Sequence, residues 1–148
     1  RLDPQDSLTL RTLAITAVAV VYVQILLGAV VRHTGTGVVP HIIGAAAVLF
    51  ILGRLTYFIQ SGYSNLPYLR TPSMAATHLA WLQLILGFGA WALKMRDAGL
   101  AKPSAGKIWM ATGHLALGAL ILAMCVIFAW RVFLVVRRQN RTPEKALR

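Results

Sequence analysis

The sequence predicts an all-α protein, an integral membrane four-helix bundle made of two pseudo-symmetric hairpins. Three observations carry that prediction. Of 148 residues, 57% are apolar and 13% charged, with a mean hydropathy of +0.66, too apolar for a soluble domain of this size. The charged residues fall between four long apolar runs. The first two runs also echo the last two.

The length corresponds to one domain, residues 1–148. A net charge of +11 raises nucleic acid as a partner, but the cations sit between apolar runs and in the tail RVFLVVRRQNRTPEKALR. That is the distribution of anchors at a lipid surface, so the expected partner is the bilayer and not nucleic acid. The one cysteine, Cys125, lies within an apolar run and rules out an intramolecular disulfide.

Residues 1–11 are polar, with Asp3, Asp6 and Ser7 available to cap a first helix. From Thr12 to Val31 there is no charge; twenty helical residues rise about 30 Å, the hydrocarbon thickness. HTGTGVVP is too short and Gly-rich for anything but a reversal. The second span is expected at about 41–59, with Arg54 near its far end and able to snorkel. Tyr57, Tyr63 and Tyr68 read as interfacial anchors, and Thr71 or Ser73 beside Pro72 as the next helix start. Spans three and four are expected at 74–93 and 108–136. The fourth is longer than the bilayer is thick and must tilt or project. The first run being long enough to span, no cleaved signal peptide is expected.

Ten Lys and Arg fall on the side of the chain ends and the second loop, against five on the other side, which predicts cytoplasmic termini and an outward turn around His33 and His41. YVQILLGAV in the first span resembles WLQLILGFG in the third, and HIIGAAAVLFI in the second resembles HLALGALILAM in the fourth. Gln24 thereby pairs with Gln83, Gly28 with Gly87, and His41 with His114.

An imidazole inside a bilayer needs a partner, which makes these histidines functional candidates. His41 opens the second helix and His114 lies in the first turns of the fourth, so both are near the outer face. His78, at the start of the third, is expected roughly 10 to 15 Å lower and reads as an interfacial cap. Two histidines at one height on different helices can ligate a heme iron axially. Gly44 and Ala45 follow His41 on its face, and Leu117 and Gly118 follow His114. Gly28 and Gly87, with Gln24 and Gln83, would thin the other two walls. Arg32 is placed to meet a propionate, with His33, Thr34 and Thr36 at the rim. No carboxylate or thiol accompanies the outer histidines, which disfavours zinc or copper. The competing reading is helix packing, with histidine hydrogen-bonded between helices and small residues at the contacts.

LGAVVRHTGTG followed by a histidine opening the next helix resembles the heme A synthase family, whose members typically comprise two four-helix halves. The likeness covers the four-helix plan, and its specific part is residues 24–45. It implies that His41 and His114 would ligate heme near the outer face. Three features depart from the catalytic half of that family. Val38 stands where a glutamate precedes the second-helix histidine by three residues, Ile42 stands where an arginine often follows it, and the outer turn has no cysteine pair. The resemblance is closer to the cofactor half and implies heme b, in a prokaryotic plasma membrane or a mitochondrial inner membrane. The functions it implies are electron transfer or heme A biosynthesis, the latter by oxidation of the heme O methyl group. The alternative is an accessory subunit, with or without heme b, of a larger respiratory or photosynthetic membrane complex. Self-association is the other assembly expected.

Overall fold

A computed structural model describes residues 3–146, with side chains as far as Gln139. Four helices follow in order: α1 (Pro4–Thr34), α2 (Val38–Tyr63), α3 (Pro67–Arg96) and α4 (Ala105–Ala146). Each contains a stretch long and apolar enough to cross a membrane, which makes this a multi-pass membrane protein. Consecutive helices pack together and α4 closes back on α1, while the backbones of the diagonal pairs α1/α3 and α2/α4 do not come close. Arg1, Arg141, Lys145 and Arg148, which enter the charge count for orientation, lie outside the described side chains.

Every helix is longer than its apolar run. The expected bounds stopped at charges, but the backbone ladder needs caps and not apolar side chains, so it continues to headgroup depth. Asp3 caps α1, its carboxylate accepting from the Gln5 amide at 2.9 Å. Asp6, expected as a cap, instead accepts a hydrogen bond from Tyr63 and ties the start of α1 to the end of α2. Tyr63 is therefore a clasp within the bundle, whereas Tyr57 and Tyr68 are exposed as anchors would be.

Pro72 does not start a helix. α3 begins at Pro67 and carries Pro72 inside it. Pro72 has no N–H for the carbonyl of Tyr68, and that carbonyl accepts from Arg131 of α4 at 3.5 Å instead.

The bundle is held by one seam. Leu10, Ala14, Ala17 and Val21 of α1 are buried with Leu69, Ser73, Ala76 and Ala80 of α3. Val48, Leu52, Leu55 and Ile59 of α2 meet them, with Ile121, Cys125, Phe128 and Val132 of α4. The alternating steps of three and four are those of antiparallel helices packed at a shallow angle. On the α2/α3 side, Thr56 and Thr77 share a hydrogen bond of 2.8 Å, and Thr56 also reaches the Ser73 carbonyl.

Burial stops short of the end that carries the α1/α2 and α3/α4 reversals. Beyond Val21, Val48, Ala80 and Gly118, no described residue of the four helices is buried there. Carried one and two steps further, the same seam arrives at Gln24 and Gly28, Gln83 and Gly87, His41 and His114.

Candidate functional site

The reversal between α1 and α2 rests on two glycines. Gly35 (φ 72°) and Gly37 (φ 80°) are both left-handed, a backbone region costly for any side chain. The Gly35 amide bonds back to the Val31 carbonyl at 3.1 Å, ending α1. His41 falls on the first turn of α2, where its amide bonds to the Gly37 carbonyl.

The α1/α2 hairpin sets His41 by two contacts. The side-chain amide of Gln24 donates to the His41 carbonyl at 2.9 Å, fixing the height of α2 against α1. Gly28, one turn above Gln24, lies against the imidazole: a Cβ there would stand 3.1 Å from its Cε1. Gly44 makes room for Gln24, since a Cβ at Gly44 would collide with the Gln24 Oε1.

The α3/α4 hairpin makes the same contacts. The Gln83 amide donates to the His114 carbonyl at 2.7 Å. A Cβ on Gly87 would stand 2.8 Å from His114 Cε1, and one on Gly118 would stand 3.0 Å from the Gln83 amide nitrogen.

His41 and His114 thus enter from diagonally opposite helices whose backbones do not meet. Their ring centres are 6.3 Å apart and the planes are inclined by 75°. The Nδ1–H of His114 donates to the Gln83 carbonyl at 3.0 Å, which leaves its Nε2 as a bare lone pair. His41 Nδ1 is buried without a hydrogen-bond partner. The Oε1 atoms of Gln24 and Gln83 are also buried without partners. In a low-dielectric interior such atoms are costly, and all three lie at this one level.

Arg32 and His33 are exposed on the last turn of α1. Arg32 is four residues above Gly28, on the same helical face, whereas His33 is turned about 140° away from Gly28. Thr34 and Thr36 bond to each other at 2.7 Å in the turn. His78 does not cap a helix: it lies in the fourth turn of α3, exposed, its Nδ1 on the Met74 carbonyl at 2.7 Å. It belongs neither to this site nor to the helix end.

The loop from α3 to α4 adds a group that the sequence did not single out. Asp97 is buried, accepts from the Ser104 amide at 2.8 Å and pairs with Arg96 at 3.1 Å. The hydrogen bonds from Ser104, then the Arg96 guanidinium, hold its carboxyl down at about 2. Comparison with protein-family profiles, with curated proteins and with solved structures returns no match to this chain.

Proposed function

We propose that the chain holds one b-type heme between His41 and His114, in two hairpins related by pseudo-symmetry, and serves electron transfer. One observation carries the reading: two imidazoles from helices whose backbones do not come close converge to 6.3 Å at the level where the buried apolar core gives out. Imidazoles at that separation could hold one metal between them. Among the described residues no three His, Cys, Asp or Glu side chains come together to hold a metal. A two-imidazole donor set matches a metal that brings its remaining ligands with it. Gly28 and Gly87 give the two imidazoles room to lie against α1 and α3, and His41 Nδ1 with the Oε1 atoms of Gln24 and Gln83 are left without partners at this level.

When bound, heme supplies a one-electron couple whose potential follows its axial ligands and their surroundings. The chain's own contribution is positional. Gln24 and Gln83 set the heights of α2 and α4, Gly28 and Gly87 admit the rings, and the Gln83 carbonyl fixes the His114 tautomer. Arg32, about 6 Å above Gly28 by helical rise, is the cation placed to meet a propionate, whereas His33 faces away from the site. Ligation by both His41 and His114 would leave no open position on a heme iron, which would favour electron transfer over oxygen chemistry. Kinship with heme A synthase, and with it heme O oxidation, rests on LGAVVRHTGTG, and Val38 offers no carboxylate for that step. Assembly into a respiratory or photosynthetic complex, or self-association, belongs to the same proposal.

The test is pigment extraction with a reduced-minus-oxidised spectrum of the purified chain. Heme b with a sharp α band is expected. Protein produced with ample heme yet free of pigment contradicts the proposal and leaves a packing role for the histidines.

A further inference from the structure

At the opposite end of the bundle, a cavity of about 190 Å³ opens between the start of α1 and the end of α4, lined by Pro4, Ser7, Leu8, Arg11, Val136 and Gln139. Arg11 is its cation. The guanidinium carbon lies 5.2 Å from the centre of the Phe133 ring, which holds the fork against α4. Its Nε is buried without a hydrogen-bond partner. No salt bridge joins Arg11 to Asp3, Asp6 or Asp97, the described carboxylates. Asp3 is engaged in capping α1 and Asp6 accepts from Tyr63.

Depth identifies the partner. Arg11 immediately precedes the uncharged run Thr12–Val31, which places it at the hydrocarbon boundary. The lining residues before it extend about 10 Å further by helical rise, through the depth of phosphates and glycerol. Arg70, Arg131, Arg137 and Arg138 share this end, so the local field favours an anion. A planar guanidinium held against Phe133 matches phosphate oxygens, and Leu8 and Val136 offer an apolar wall beside it.

We propose that this groove binds the phosphate of an anionic phospholipid, with Arg11 as the anion-binding group. The proposal is independent of the heme reading.

The experiment is lipid competition on the full chain in nanodiscs, phosphatidylglycerol against phosphatidylcholine, read by native mass spectrometry of retained lipid. The wild type is expected to retain phosphatidylglycerol selectively. Arg11→Gln should lower that selectivity about fivefold, and Arg137→Gln, an exposed cation at the same end, should leave it within about twofold. Leu8→Glu places a carboxylate at the groove from an exposed position; it should abolish selectivity, and it decides the matter if Arg11→Gln does not fold. Equal losses in Arg11→Gln and Arg137→Gln would mean a diffuse cationic belt and overturn the proposal. So would full selectivity in Leu8→Glu. Inorganic phosphate displacing phosphatidylglycerol from the wild type at low concentration would assign the groove to a free anion and overturn the lipid assignment.

Discussion

A Cβ atom on Gly87 would stand 2.8 Å from Cε1 of His114, closer than side-chain carbons tolerate. The matching distance from Gly28 to His41 is 3.1 Å. One ring must therefore move further than the other when alanine is introduced. Gly87→Ala is expected to cost about 1–3 kcal/mol through overpacking and to lower heme retention. Gly28→Ala is expected to do less of both. The ratio of heme to protein after purification and the melting temperature check the order; equal and negligible effects would contradict the packing described.

Gln24 and Gln83 each tie one helix of a hairpin to the carbonyl of a histidine. Gln24→Leu and Gln83→Leu should each lower stability by about 1 kcal/mol, the usual worth of an interhelical hydrogen bond in a membrane. The cost is moderated because each change also removes a buried Oε1 that has no partner. The two ties lie in different hairpins, so the double variant should lose close to the sum. Thermal unfolding in detergent measures this, and the same samples should show a shifted midpoint potential if the ties set the ligand positions.

Asp97 makes the α3/α4 loop sensitive to acid. Its carboxyl sits at about 2 in the folded protein, against an ordinary value of 3.8. A depressed folded value means that the charged form is favoured by folding, so its contribution is complete above about pH 5. It declines as pH falls through 3.8 toward 2. Asp97→Asn should lower the melting temperature at pH 7 and flatten its fall over that acid window. An unchanged acid profile in the variant would show that the Ser104 and Arg96 contacts carry no weight.

The Tyr63 hydrogen bond to Asp6 joins the two hairpin ends farthest from the imidazoles. Tyr63→Phe removes a bond to a charged acceptor, expected to cost about 1.5–3 kcal/mol, and should leave any heme spectrum unchanged. A change in the spectrum would mean that the two ends of the bundle are coupled.

Much of the fold was legible because charges mark where apolar runs end. The helix ends were not, since Pro4–Arg11 and Pro67–Thr71 form helix at headgroup depth, where side-chain polarity no longer tracks the backbone. The interior seam was harder still. The steps through Leu10, Ala14, Ala17, Val21, Gln24 and Gly28 are written in the sequence, but a membrane helix is apolar on its lipid face too, which masks the stripe. Comparing the first two apolar runs with the last two paired Gln24 with Gln83 and His41 with His114; only the structure shows that each glutamine binds its histidine's backbone carbonyl. Asp97 was hidden because an acidic residue beside Arg96 in a polar loop looks solvated until Ser104 folds back onto it.

The most direct measurement is electron paramagnetic resonance of the oxidised protein, wild type beside His41→Ala and His114→Ala. The account predicts a low-spin signal of two-imidazole ligation in the wild type, and its loss in each variant through release of heme or conversion to a high-spin form. Low-spin heme retained in both variants, or no heme in a wild type supplied with it, would contradict the pairing of His41 with His114.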